Sequence, residues 1–210
     1  DVATALQLQG MTAHYLTHSL FPLAEGHTCL IHAGAGGMGQ LAIQLAKMRG
    51  ARVIVTVGSE EKAEIARQRG ADHAILYRDM DFADAVLEIT GGLGADVVYD
   101  SVGKDTFLKS LDCLKPMGML ALFGQSSGAV EPFDLGLLSA KGSLFVTRPT
   151  LMNYVDRRRD LENTAEELFK VIREGVVNAD IRQERPLREA GAAHSDLESR
   201  RTTGATLLIP

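Results

Sequence analysis

The chain has 210 residues, 45% hydrophobic and 23% charged, the proportions of a globular protein able to bury a sizeable core. Its formal net charge of -5 and pI near 5.7 exclude an ordinary nucleic-acid surface, because phosphate backbones are held by clustered cations. Cys29 and Cys113 are too few for a disulfide scaffold and lack partners at metal-ligand spacing, so a reducing cytoplasm is the expected compartment, and no apolar run nears the roughly 20 residues of a membrane span.

Residues 1–20 read as a helix. Asp1-Val-Ala-Thr has neither an initiator methionine nor a capping pattern, so the chain reads as entered part-way along a longer one. From Thr28 onward, short runs rich in β-branched residues alternate with amphipathic segments, the rhythm of a parallel sheet covered by helices. Strands are predicted at 28–33, 52–57, 73–76, 96–101, 118–123 and 143–147, and helices at 38–49, 59–69, 82–90 and 105–114. Ser59 and Asp81 stand at N-cap positions, and Gly50 stops the first of these helices. After Pro149 the rhythm changes to a helix near 157–174, a strand near 179–185, a helix near 187–200 and a last strand over 206–209. These pieces show no partner sheet in the pattern. The expected division is 1–151 for the alternating part and 152–210 for the remainder.

Between the first strand and the first of the alternating helices lies HAGAGGMGQ, residues 32–40. Gly34, Gly36 and Gly39 satisfy G-x-G-x-x-G: one for a tight turn, one for approach of backbone N–H groups to a pyrophosphate, one for close packing of helix on strand. The rival phosphate-binding loop, G-x-x-x-x-G-K-[ST], fails because Gln40 and Leu41 stand where Lys and Ser or Thr belong. A glycine turn that follows a strand and opens a helix, heading an alternating series, predicts an α/β protein: a doubly wound, six-stranded parallel Rossmann sheet that binds a dinucleotide.

The second strand ends in Val57-Gly58, without the Asp or Glu that hydrogen-bonds the ribose of NAD. If Ser59 caps the following helix, Lys62 falls in its first turn, where a cation is unfavourable by ~0.3–1 kcal/mol. A 2′-phosphate between Ser59 and Lys62 would reverse that sign, so NADPH is expected over NADH. The alternative stays open that Ser59 is only a cap and Lys62 only pairs with Glu60 or Glu61. The missing acid also weakens a methyltransferase reading.

The runs HAGAGGMGQLAIQLAK, VGSEEKAEIARQRGADHAILYRDMDF, ADVVYDSVGKDTFLKSLDCLKPMGMLALFGQSSG, KGSLFVTRPTL and ESRRTTGATLLIP closely resemble the NADPH-dependent quinone oxidoreductases. These form the zeta-crystallin-like, zinc-free branch of the medium-chain dehydrogenases/reductases. The resemblance covers essentially the whole chain. It implies that Gly37 and Met38 face the pyrophosphate of NADPH, with Gly36 and Gly39 in the family's A-x-x-G-x-x-G form of the turn from Ala33, and that Gly58, Ser59, Lys62 and Tyr77 form the 2′-phosphate and adenosine-ribose pocket. Tyr77 also reads as a half-buried core tyrosine. Thr12 and Tyr15 would approach the cofactor from the entering helix. Ser101 would end the fourth strand at the crevice, Phe123, Gly124, Gln125 and Ser126 would line the nicotinamide half, and Leu151 and Arg200 would complete the set.

No catalytic side chain and no metal ligand is expected, since the cofactor performs the hydride transfer. His32 is expected to pack beneath the glycine turn. In the family a GroES-like domain precedes the cofactor domain and pairs with the C-terminal segment, and this sequence would start after most of it. The expected activity is reduction of quinones or related α,β-unsaturated carbonyls. Two other classes remain: an enoyl-reductase module of a larger synthase, and a non-catalytic NADPH-binding crystallin-like protein. The apolar run 143–147, last in the sheet, is the expected edge of a homodimer.

Overall fold

The computed structural model describes residues 2–199 and 201–210. Six strands form one parallel sheet: β1 (Thr28–His32), β2 (Arg52–Val57), β3 (His73–Leu76), β4 (Ala95–Asp100), β5 (Leu114–Leu122) and β6 (Phe145–Thr147). Their order is β3-β2-β1-β4-β5-β6, so the winding reverses between β1 and β4, as in a doubly wound Rossmann sheet. The helices are α1 (Val2–His14), α2 (Gly37–Met48), α3 (Glu60–Gln68), α4 (Phe82–Ile89), α5 (Phe107–Asp112), α6 (Gly136–Ala140), α7 (Leu151–Tyr154), α8 (Arg158–Arg173) and α9 (Ala190–Glu198).

The strand runs are apolar throughout because both faces of the sheet are covered. Cys29 and Ile31 of β1 enter one core cluster with Val53, Val55 and Val57 of β2, while Leu30 and Ile54 point to the cluster on the opposite face. Each fully buried Leu, Ile or Val contributes about 1.5–3 kcal/mol relative to exposure. Helix α2 buries Leu41, Ala42, Ile43, Leu45 and Ala46. Gly50, at φ 78, then lets the Ala51 N–H return to the Ala46 carbonyl at 3.1 Å, which closes the helix.

Several elements depart from the sequence expectation, among them the short helices α6 and α7, which it did not predict. Strand β5 begins at Leu114 rather than Gly118, because a register shift between Ala95 and Val97 lets Leu114 pair with Ala95. Strand β6 starts at Phe145 rather than Ser143, whose φ of 58 is left-handed and breaks a strand. The entering helix widens to a π-helix over Tyr15–Leu20. The Phe21 N–H reaches the Leu16 carbonyl at 3.3 Å, and the same oxygen accepts from the Tyr99 hydroxyl at 3.1 Å.

The C-terminal pieces do have a partner sheet: β7 (Ile181–Pro186) pairs in parallel with β8 (Ala205–Ile209). Periodicity identified both strands but could not join them across the intervening α9. Helix α8 packs on α1, where a Cβ on Gly10 would lie 2.8 Å from Leu168. At the rim of that contact His14 Nε2 meets Glu167 Oε2 at 2.8 Å.

Candidate functional site

The crevice lies beyond the carboxyl ends of β1 and β4, where the winding reverses and loops diverge to either side. Ala33, just past β1, takes φ 56, a conformation that is costly for a residue with a Cβ. That bend brings its carbonyl under the turn, where it accepts the Gly36 N–H at 3.0 Å. Glycine at 34 is demanded by the protein, since a Cβ there would lie 2.7 Å from Val55. So is glycine at 39, where a Cβ would collide with the Ala33 oxygen and lie 2.9 Å from Gly34 Cα. Gly36 differs: its Cβ would meet only the Ala33 oxygen, at 3.4 Å, an ordinary contact.

Gly36 is also the N-cap of α2 and supplies no side-chain cap. The Ser59 hydroxyl accepts from Lys62 N–H at 3.4 Å to cap α3, and Asp81 accepts from Ala83 N–H at 2.9 Å to cap α4. The first amides of α2 are left to an acceptor from outside the helix. A diphosphate suits that position, because the helix dipole and the N–H groups point at it and Gly36 carries no side chain; at Gly37 the Gln9 side chain and the Gly204 carbonyl lie close to where a Cβ would stand.

At the carboxyl end of β2, Gly58 leaves space that Tyr77 and Arg78 use. A Cβ there would lie 2.9 Å from the Tyr77 hydroxyl and 3.5 Å from Arg78 Nε. Gly58, Ser59, Lys62 and Tyr77, all half-buried, thus gather at one corner with no strand-end carboxylate, which suits a phosphorylated ribose. Glu60 is drawn away to Arg67 at 2.6 Å. Sequence reasoning missed Arg78, although its position beside Tyr77 at a strand end was a signal.

Across the reversal, the Ser101 carbonyl accepts the Ser126 N–H at 3.1 Å, and the Asp100 carbonyl accepts the Phe123 N–H at 2.9 Å. A Cβ on Gly124 would lie 2.6 Å from the Ser101 oxygen, so the 123–126 loop lies directly on the Ser101 turn. Beneath both halves runs a buried polar chain. His32, expected only to pack under the turn, lies 2.8 Å from Thr56 Oγ1 through Nδ1 and 2.9 Å from Ser110 Oγ through Nε2. Burial pushes the imidazole pKa down, partly opposed by the Asp100 carboxylate, so His32 is neutral at neutral pH. Asp100 was missed from the sequence, although an acid ending a strand before S-V-G is the pattern of a side chain that closes a turn on itself.

The remaining candidates are spread out. Thr12 is half-buried on α1. Tyr15 is 1% exposed, and Leu151 joins it in the core cluster. The Tyr15 ring stacks on Tyr154 with centroids 4.3 Å apart, and burial raises its hydroxyl to about 12. Arg200 lies outside the described residues. Its neighbour Arg201 pairs with Asp196 at 2.8 Å. Just beyond, the Gly204 N–H donates to the Ala35 carbonyl at 3.2 Å, which joins the C-terminal segment to the glycine turn.

The family model for zinc-binding dehydrogenases matches residues 37–170, from the first turn of α2 into α8. The chain belongs to the zinc-binding dehydrogenase family. Within this dehydrogenase family it is 48% identical to a 2-haloacrylate reductase of a Burkholderia species, over 98% of this chain and 62% of the relative. It is 47% identical to quinone oxidoreductase 1 of Escherichia coli K12, over 100% of this chain and 65% of the relative. The crystal structure of an Escherichia coli quinone oxidoreductase complexed with NADPH superposes with a TM-score of 0.96 at 47% identity, covering 99% of this chain and 64% of that one. The chain therefore spans 62–65% of the length of these curated relatives. Among the described residues no group of three or more His, Cys, Asp or Glu could hold a metal ion.

Proposed function

We propose that the chain is the NADPH-binding part of an oxidoreductase that reduces quinones or related α,β-unsaturated carbonyls. The observation that carries this is the amino end of α2 at the winding reversal, where Gly36 supplies no side-chain cap and leaves the first amides to an acceptor from outside the helix. The amides of Gly37, Met38 and Gly39 would hold the diphosphate, and Ser59, Lys62 and Tyr77 the 2′-phosphorylated ribose. Ser101 and Phe123 to Ser126 would wall the nicotinamide half, with Thr12, Tyr15 and Leu151 behind it and Arg200 at the C-terminal side. When bound, NADPH supplies the hydride. The protein's part is to position the ring and exclude water, and we assign no catalytic side chain. Residues 1–151 form the cofactor domain in this reading, and 152–210 belong with the domain that covers the substrate.

Titration of NADPH and NADH against the chain and its Lys62→Ala variant tests the cofactor assignment. NADPH affinity is expected to fall about tenfold, as for one lost charge-assisted contact, with NADH unchanged; equal losses reject the phosphate role. Loss of NADPH absorbance on mixing with a benzoquinone tests the acceptor class, and no oxidation with any quinone or enone offered rejects it.

We further propose a homodimer through β6. Among the described residues this strand pairs only with β5 and leaves Phe145 58% exposed, an edge that a second copy can extend. Light scattering is expected to give twice the chain mass, and a strict monomer at high concentration rejects the edge. The buried thiols of Cys29 and Cys113 suit a reducing cytoplasm, and fractionation that finds the protein elsewhere overturns that placement.

A further inference from the structure

Resting on the reading of a nicotinamide dinucleotide laid across the crevice, we propose that Asp100 is a positioning residue for the nicotinamide half. Its carboxylate is also the polarising end of a buried hydrogen-bond chain that joins the two halves of the site. Asp100 is 0% exposed. Its Oδ1 accepts the N–H groups of Val102 at 2.7 Å and Gly103 at 3.0 Å, and its Oδ2 accepts the Thr106 hydroxyl at 2.7 Å. The turn held in this way carries the next loop. Ser101 and Val102 carbonyls accept the Ser126 and Ser127 N–H groups at 3.1 and 2.9 Å, and the Ser127 hydroxyl adds a bond to Val102 at 2.8 Å. One carboxylate therefore sets the position of both loops on this side of the reversal.

From Asp100 the chain runs inward with a fixed direction. A carboxylate only accepts, so Ser110 donates to Oδ2, at 3.4 Å. Having used its proton, the Ser110 oxygen accepts from His32 Nε2–H at 2.9 Å. Neutral His32 then offers a bare Nδ1 to the Thr56 hydroxyl at 2.8 Å. The Thr56 carbonyl takes the Gly34 N–H at 3.2 Å, inside the glycine turn. Asp100, Ser110, His32 and Thr56 are all nearly or wholly buried, so no water competes to randomise these protons. The chain crosses β4, β1 and β2, the strands on either side of the reversal.

Asp100→Asn keeps the shape and inverts the polarity. Its amide oxygen can keep the two turn N–H groups, but an NH2 then faces Thr106 and Ser110. Ser110 must accept and donate toward His32 Nε2, which moves the imidazole proton to Nδ1. Nitrogen-15 NMR of the histidine-labelled chain is expected to show the Nε2–H tautomer in the wild type and Nδ1–H in D100N. In the same variant NADPH affinity is expected to fall about tenfold. Affinity for 2′,5′-ADP, which lacks the nicotinamide half, is expected to stay within about twofold. Thr106→Val, which removes one donor at the surface end, is expected to show the same selective loss, and it decides the matter should D100N fail to fold.

A wild-type Nδ1–H tautomer overturns the polarity. Unchanged NADPH affinity in the variants, or equal loss of both ligands, overturns the positioning role while leaving the cofactor reading intact. A wild-type chain that binds neither ligand removes the cofactor reading, and this inference with it.

Discussion

Gly36 and Gly39 stand in the same turn and are glycine for different reasons. A Cβ at Gly39 has nowhere to go, because the backbone of Ala33 and Gly34 occupies its place. Gly36 has φ −73 and ψ 164, which any residue adopts, and a Cβ there would make only an ordinary contact with the Ala33 oxygen. Gly39→Ala is therefore expected to lose about 1–3 kcal/mol of stability, the usual cost of overpacking. Gly36→Ala is expected to stay within about 1 kcal/mol of the wild type while losing NADPH affinity at least about tenfold. Denaturant unfolding and coenzyme titration separate the two effects, and similar stability losses in both variants would assign Gly36 to packing. Ser59 shows the same distinction from the other side. Its hydroxyl does cap α3, so any phosphate contact it makes shares an oxygen already in use.

At the scale of an element, the junction of α1 with the π-helical turn Tyr15–Leu20 carries a pH response. His14 and His18 stack with ring centroids 4.2 Å apart, an arrangement suited to neutral rings. Burial lowers the His14 pKa, with Glu167 opposing and Arg49 assisting. Burial also lowers His18, to about 4, with His14 and Arg49 adding to the shift. A histidine whose folded pKa lies below its unfolded value contributes stability that is complete above that unfolded value, 6.5. The contribution is lost as pH falls toward 4, because the unfolded chain takes the proton first. After discounting for solvent screening, the loss between pH 7 and pH 4.5 is expected to be on the order of 1–2 kcal/mol. Urea unfolding across that range should show a flatter acid limb for His18→Phe, which keeps the stack without the titration. An identical limb in the variant would place the acid sensitivity elsewhere.

At the scale of the whole molecule, Asp180 ties the C-terminal segment to the cofactor sheet. Its carboxylate accepts from Gln40 Nε2 at 3.0 Å and Arg182 Nε at 2.8 Å, and meets Arg69 Nη2 at 3.3 Å. Arg69 Nε also donates to Gln40 Oε1 at 2.8 Å. The Asp180 main-chain carbonyl takes the Ala205 N–H at 2.7 Å, so this one residue joins α2, the end of α3, β7 and β8. Asp180→Ala would remove one acceptor from buried Gln40 and the carboxylate partner of Arg69 and is expected to cost about 1–3 kcal/mol. Hydrogen exchange should rise first in β7 and β8 and leave β1 and β4 protected. Uniform loss of protection would mean that the segment and the sheet unfold as one unit.

The sequence by itself determined the alternation of strands and helices, the glycine turn and the corner without an acid. Those features are local: β-branched runs, caps and a glycine spacing state their own geometry. Ser59 was legible as a cap for the same reason, and its hydroxyl does accept from Lys62 N–H, whereas Tyr77 and Ser101 were named only through the family resemblance. Only the tertiary structure decided the rest. Leu114 was read as the end of a helix and became strand through its pairing with Ala95, and β7 found its partner in β8 beyond a whole helix. Asp100, Ser110, His32 and Thr56 lie on four separate elements and meet only when the sheet closes. Hydrogen-bond partners so far apart in sequence carry no periodicity, so their association comes from packing and not from any local pattern.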